Sequence, residues 1–202
     1  MEKKDVGIVY YGAGNLFSLT AALDRQQVSY GMITSADEFD LYDRYIIPGV
    51  GHAGAAMQKL EETGFVPLIK ELKKPVLGIC VGMQLLTDFS EEGSSSLTSI
   101  IPLNTVQFNA EILKLKVPHM GWNKVTVEFE NELFKGIENN SYFYFVHSYF
   151  IEFNSKFTLA SADYGIKFSA SVKKDNFFGV QFHPEKSGEA GEKILKNFTY
   201  LN

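Results

Sequence analysis

Residues 75–86, Pro-Val-Leu-Gly-Ile-Cys-Val-Gly-Met-Gln-Leu-Leu, constrain the fold more than any other stretch. Pro75 opens a short aliphatic run that reads as a buried strand, and the spacing after Cys80 is helical. Cys80 is the only cysteine in the chain, with Gly78 two residues before it and Gly82 two after. That is the G-x-nucleophile-x-G pattern of a strand-turn-helix elbow, with sulfur in place of a serine hydroxyl. So sharp a turn strains the backbone at the nucleophile, and side chains at Gly78 and Gly82 would strike the neighbouring strand and helix. The thiol then projects at the carboxyl edge of a sheet, where backbone N–H groups and a helix N-terminus favour a thiolate. A lone cysteine near a turn is more often a small buried side chain. The paired glycines and the strand-to-helix switch favour the nucleophile.

A second stretch supplies a base. Phe177–Phe182 is aromatic and β-branched, and Pro184 cannot continue a hydrogen-bond ladder, so the predicted strand stops at His183. In an extended segment residues i and i+2 face the same way, which aligns His183 with Glu185. Alone, His-Pro-Glu is compatible with a strand-end turn. With Cys80 it makes a nucleophile, a base and a carboxylate that fixes the base's tautomer.

The flanking pattern places these residues on an α/β frame. Val6–Tyr10 reads as a buried strand, Ser29–Ile33 and Tyr45–Ile47 as a second and a third strand, and Asn15 caps a helix with Leu16, Leu19 and Leu23 on one face. Gly12-Ala13-Gly14 is no dinucleotide fingerprint, because Phe17 stands where the third glycine belongs. Residues 52–73 read as two helical pieces around Gly64, with Pro67 starting the second. Strand alternating with helix predicts a doubly wound, mostly parallel sheet flanked by helices. After Thr87 comes a polar loop, Ser90–Ser96. The segments Val125–Phe129, Tyr142–Phe150, Thr158–Ala162, Ile166–Val172 and Phe177–Phe182 read as antiparallel or mixed strands added at its edge, with Asp175-Asn176 as a hairpin turn. Ser187 is placed to cap a last helix carrying Ile194, Leu195 and Phe198. No repeat or linker interrupts residues 1–202, so one domain is expected.

Charge narrows the partners. The formal net charge is −5 and Arg25 and Arg44 are the only arginines, which argues against a nucleic-acid partner. One cysteine excludes internal disulfides and suits a reducing cytosol. The start, Met-Glu-Lys-Lys-Asp, has no signal-peptide pattern, and no apolar run approaches ~18 residues, so neither export nor a membrane span is expected. Four scattered histidines lack metal-ligand spacing, and neither a metal nor a cofactor is expected.

Gly-Ile-Cys-Val-Gly-Met-Gln-Leu-Leu followed about a hundred residues later by Phe-His-Pro-Glu resembles the class I, triad-type glutamine amidotransferases, whose fold is flavodoxin-like. Tyr11–Leu16, Pro48-Gly49-Val50-Gly51, His119–Asn123, Phe145–Tyr149 and His183–Gly188 resemble, more narrowly, the glutaminase subunits of imidazole glycerol phosphate synthases. The resemblance runs from Val6 to Phe198. It implies a Cys80-His183-Glu185 triad that hydrolyses L-glutamine. The oxyanion hole would come from the Val81 N–H and the loop Gly49, Val50, Gly51, whose peptide in that family can be turned the wrong way until a partner engages. Gln84 and Glu92 would contact the substrate glutamine, and the backbone of His147, Ser148 and Tyr149 its carboxylate. The implied partner is a cyclase subunit, a TIM barrel, joined as a heterodimer with an ammonia path. Asn15, Trp122, Asn123, Tyr144 and Lys186 match positions at that interface.

The residues themselves leave alternatives. Pro48–Gly51 also reads as a plain strand-end turn, Glu91 competes with Glu92, the His147 ring fits a core histidine, and Trp122 fits a half-buried core tryptophan. Val81 replaces the family's usual leucine, Phe17 stands near an often basic position, and Ser94–Leu103 lacks the usual Gly-Leu-Gly turn. A related glutaminase serving another synthase, in cell-surface sugar amidation or pyridoxal phosphate synthesis, is the second reading; Tyr11–Asn15 and the Trp122 loop speak against the latter. A non-enzymatic regulatory domain is the third, against which the complete triad stands.

Overall fold

The computed structural model describes residues 4–12 and 14–201. Ala13 of the Tyr11–Leu16 motif, and residues 1–3 of the chain start, lie outside the described residues. The order is β1 (Lys4–Val9), α1 (Leu16–Arg25), β2 (Tyr30–Ile33), β3 (Tyr42–Gly49), α2 (Ala53–Glu62), α3 (Phe65–Glu71), β4 (Val76–Cys80) and α4 (Val81–Gln84). Then come β5 (Phe89–Ser90), β6 (Ser95–Ser96), β7 (Asn104–Gln107), α5 (Ala110–Leu113), β8 (His119–Val127), β9 (Ser141–His147) and β10 (Tyr149–Glu152). The chain ends in β11 (Thr158–Asp163), β12 (Lys167–Lys174), β13 (Phe177–Val180) and α6 (Gly188–Thr199).

The sheet runs β2-β1-β3-β4-β13-β12-β10-β7-β5-β6, with β11 and then β8 and β9 branching from β12. Its first five strands are parallel, and β12, β10, β11, β8 and β9 pair antiparallel. The step β1→β2 runs opposite to β3→β4. Right-handed crossovers therefore put α1 on one face and α2–α3 on the other. Helix α6 joins α1, where Arg25 and Glu192 pair at 2.8 Å. The switch between these directions lies between β1 and β3, next to the carboxyl end of β4, where a ligand crevice belongs. Tyr45, Phe143, Phe145, Phe168, Phe182 and Phe198 are among the largest fully buried side chains of the core.

Several local expectations are corrected. The second helical piece starts at Phe65, with Gly64 left-handed before it at φ 72°, so Pro67 sits inside its first turn. The polar loop Ser90–Ser96 contains a small ladder, Phe89↔Ser96 and Ser90↔Ser95. Tyr142–Phe150 is two strands broken at Ser148, and β13 ends at Val180 instead of reaching His183. Asn15 does cap α1, accepting from the Ser18 N–H, and Asp175, at φ 52°, turns β12 into β13.

Helix α4 is a single turn, because the next residues give their carbonyls elsewhere. Thr98 N bonds Leu85 O, Ile100 N and Ile101 N bond Leu86 O, and Ser99 N bonds Thr87 O. The atypical Ser94–Leu103 segment thus satisfies the helix's C-terminal carbonyls, which a buried helix end requires.

Candidate active site

Cys80 ends a strand with every residue buried and turns at φ 55°, ψ −111°. A non-glycine residue held there costs on the order of 1–3 kcal/mol. Backbone contact on both sides fixes it. A Cβ on Gly78 would overlap the Gly82 carbonyl, one on Gly82 would overlap the Ile47 carbonyl, and one on Gly49 would lie 2.5 Å from the Gly82 nitrogen. Strands β3 and β4 and helix α4 therefore meet backbone to backbone. With α4 only four residues long, the nucleophile's setting comes from these contacts and from nearby side chains more than from a helix dipole.

His183 Nδ1 lies 2.7 Å from Glu185 Oε1, and both side chains are buried. The expected alignment is present, but a 3-10 turn over Pro184–Lys186 makes it, not an extended segment. His183 is strapped to β9: its N–H bonds Tyr144 O at 2.9 Å. Ser187 accepts from the Tyr144 N–H and donates to the His183 carbonyl. Ser187 stands at the N-cap of α6, yet its hydroxyl serves the histidine and makes no capping bond.

Burial works to lower the His183 pKa, but the Cys80 thiolate and the Glu185 carboxylate outweigh it and hold the ring's pKa raised, to about 10. Nε2 is buried without a partner at hydrogen-bonding geometry. The His183 ring is thus held protonated beside Cys80.

A cleft of about 330 Å³ opens beside Cys80, lined by Val50, Gly51, Val81, Gln84, Glu92, Val146, His147, Ser148, Tyr149 and His183. The predicted catalytic, oxyanion-loop and glutamine-contact residues thus converge, apart from Gly49 and Glu185. Those two meet Asn15, Val50 and His183 in a second, narrow crevice. The Tyr11 hydroxyl, its pKa raised by burial and then by the Cys80 charge, donates to Pro48 O at 2.6 Å and ties the Asn15 loop to Pro48–Gly51. A larger depression of about 580 Å³ between Val127 and Asn139 offers acids and Lys135 but neither cysteine nor histidine.

The competing acids separate. Glu92 lines the cleft and accepts the Ala53 N–H at 2.6 Å, while Glu91 accepts the Gln107 N–H on β7. Gly51 has φ 85° in open space, whereas Gly49 is needed for close packing, so only Gly51 carries conformational freedom. Gln84 touches the cleft, but its Nε2 is committed to Tyr149 O at 3.2 Å and Gln181 Oε1 at 3.0 Å.

The His147 ring belongs to a buried chain. Tyr149 O can only accept, so His147 donates from Nδ1 at 2.7 Å and accepts at Nε2. His119 then donates from Nδ1 at 2.9 Å, and its Nε2 accepts from Asn123 Nδ2 at 3.3 Å. Both rings are neutral: burial lowers His119 to about 4, and burial, with the charge of His183 nearby, lowers His147 to about 3 against the Tyr149 bond.

Of the interface candidates, Trp122, 55% exposed, meets the Tyr144 ring edge-on, and Lys186 Nζ lies 5.9 Å from that ring. Asn123 points to the other face of β8, toward His119 and Asp163 O. It is a structural link, not part of that exposed patch. Gln181 and Tyr11 were not read as site residues; the one signal for Gln181 was its place two residues before His183.

Among the described residues no group of His, Cys, Asp and Glu is arranged to hold a metal ion, and no helix is long and apolar enough to cross a membrane.

Comparison with known proteins agrees with this geometry. The family model described as glutamine amidotransferase class-I matches residues 10–201. The imidazole glycerol phosphate synthase subunit HisH of Bacteroides fragilis is 46% identical over 97% of this chain and 99% of its own. That of Pasteurella multocida is 44% identical over 96% and 97%. PurLQS from Thermotoga maritima superposes with a TM-score of 0.71 at 17% identity, covering 97% of both chains. A crystal structure of a glutamine amidotransferase reaches 0.73 at 15% identity over 96% of both. These two show the shared fold. The chain belongs to the class I glutamine amidotransferases and, within them, to the imidazole glycerol phosphate synthase HisH subunits.

Proposed function

We propose that residues 1–202 act as one amidotransferase domain in which Cys80, His183 and Glu185 hydrolyse L-glutamine to glutamate and ammonia. The Cys80 thiolate attacks the side-chain carbonyl carbon. The oxygen takes up the negative charge and is met by the Val81 N–H and an N–H of the Gly49–Gly51 loop, donors of the kind that lower such a barrier most. The C–N bond breaks as imidazolium His183 gives its proton to the departing nitrogen, leaving a glutamyl thioester and ammonia. Water then attacks the thioester, neutral His183 takes its proton, and the thiolate returns as glutamate leaves. Glu185 keeps Nδ1 protonated throughout. Glu92 and the backbone of His147, Ser148 and Tyr149 hold the amino and carboxylate groups of the substrate, with Gln84 at the cleft wall.

The observation that carries this reading is the buried His183–Glu185 pair beside a cysteine held at a positive φ by three glycine contacts. Ammonia released into water is protonated and lost, and the HisH relatives are named as subunits of a synthase. The ammonia therefore passes to a cyclase partner, a TIM barrel, in a cytoplasmic heterodimer that makes imidazole glycerol phosphate and AICAR in histidine biosynthesis. Asn15, beside Glu185, and the exposed Trp122–Tyr144–Lys186 patch form its docking side.

Partner contact acts on the oxyanion loop, where one missing N–H donor costs about 10²–10³ in rate. The test is glutamine turnover by the chain with and without the cyclase subunit and its acceptor ligand. Acceleration of about a hundredfold or more is expected, and Gly51→Val should weaken it more than it weakens glutamine affinity. Full coupled turnover by the chain alone would mean that Pro48–Gly51 is only a turn.

A further inference from the structure

Gln181 is fully buried and lies two residues before His183 at the end of β13. Its Nε2 is 3.7 Å from Cys80 Sγ, within reach of an N–H···S hydrogen bond, and its Oε1 is 3.0 Å from Gln84 Nε2. Val146 O, a hydrogen-bond acceptor, lies 4.0 Å from the same sulfur. A carbonyl there suits a thiol and opposes a thiolate. An amide N–H aimed at the sulfur offsets it, since hydrogen bonds to charged groups are stronger than neutral ones.

Which end of an amide faces the sulfur is a question of partners, and here a single carbonyl answers it. Tyr149 O accepts and cannot donate. Gln84 must therefore present its NH₂ to Tyr149 O, and the second hydrogen on the same nitrogen points to Gln181. The Gln181 end facing Gln84 is then the oxygen, and the end facing Cys80 is the N–H. The other lone pair of Tyr149 O is taken by His147 Nδ1, whose tautomer is held by His119 and Asn123. The carbonyl cannot turn without breaking both arms.

We propose that Gln181 is a further catalytic residue, its amide N–H holding the Cys80 sulfur in the thiolate form, and that Gln84 is the positioning residue that fixes the amide's direction. When the thioester forms, the sulfur loses its charge and this bond weakens; when the thioester is hydrolysed, it strengthens again. Gln181 therefore favours the thiolate over the thiol and the acylated sulfur, and it adds no proton to the reaction.

The proposal rests on Cys80 as nucleophile, and the experiment separates the two. Cys80 is the only cysteine, so alkylation of the full chain by iodoacetamide reports on it alone. Gln181→Met keeps volume and removes the donor. Alkylation at pH 7.5 should slow about tenfold, and glutamine turnover with the cyclase subunit should lose about tenfold in kcat with KM within about twofold. Gln181→Glu places an acceptor against the sulfur and should lose more than Gln181→Met in both readouts. Wild-type alkylation in a folded Gln181→Met variant overturns the proposal, as does a loss that appears only in KM. Should that variant fail to fold, Gln84→Met, which frees the amide to rotate, is read by alkylation alone. A slower rate supports the proposal and an unchanged rate overturns it. Wild-type turnover by Cys80→Ala would instead remove the nucleophile assignment itself, whatever Gln181 does.

Discussion

His183 and His147 line the same cleft and are both buried, yet one is held charged and the other neutral. Burial pushes both toward the neutral form. The difference lies in what faces the ring. His183 Nδ1 meets a carboxylate and its ring also feels the Cys80 sulfur, while His147 Nδ1 meets a backbone carbonyl and its Nε2 meets another histidine's N–H. Within one site a full negative charge reverses the desolvation effect and a dipole does not. The charged ring has a proton to give, and the neutral ring has only a direction to impose.

The comparison is broken most severely by Glu185→Gln. An amide cannot neutralise an imidazolium, and it can present an N–H to Nδ1 and so reverse the tautomer. Glutamine-dependent turnover should fall about 10⁴-fold, by analogy with the loss of an orienting carboxylate in other triads, yet stay measurable above Cys80→Ala. Steady-state kinetics with the partner decides it; complete loss equal to Cys80→Ala would give Glu185 a direct part in the chemistry. Ser187→Ala is a gentler break. It leaves the Tyr144 N–H without its hydroxyl partner, a cost of about 1–3 kcal/mol in stability, while the His183 carbonyl keeps the Lys186 N–H. The expected result on thermal melting and turnover is a lower Tm and a severalfold lower kcat. Unchanged values would show that the strap between β9 and His183 is redundant.

The smallest effect is in pH. His119 and His147 have folded pKa values near 4 and 3, below the unfolded ~6.5, so between those values the unfolded chain binds more protons. Their contribution is complete above ~6.5 and is lost as pH falls toward 4 and then 3. His183, raised to about 10, contributes with the opposite sign: complete below ~6.5 and lost as pH rises through about 10. Denaturant melts from pH 4 to 10 should show the acid arm flattened in His119→Gln and the alkaline arm flattened in Glu185→Gln. Identical arms in all three proteins would contradict the charge states assigned to the two rings.

What the sequence made legible follows the range of the interactions. The elbow at Gly78-Ile79-Cys80-Val81-Gly82 and the pair His183, Glu185 are local, so spacing picked out the residues, although a 3-10 turn and not an extended segment aligns the pair. The short α4 was not legible, because the groups that end it come from residues 98–101. Asn123 was grouped with Trp122, but neighbours on a strand face opposite ways, and the paired strand decides which face is outside. Gln181 was hidden for a similar reason: a glutamine after a β-branched run reads as a polar strand residue until Cys80, a hundred positions earlier, is brought to its amide.

In the proposed reaction Cys80 generates ammonia for use elsewhere. The deciding assay supplies Cys80→Ala, together with the cyclase subunit and its acceptor, with either glutamine or an ammonium salt. Product formation from glutamine should vanish while formation from ammonium continues at the wild-type rate. Loss of both would mean that Cys80 serves folding or docking, and retention of both would mean that the nucleophile is another residue.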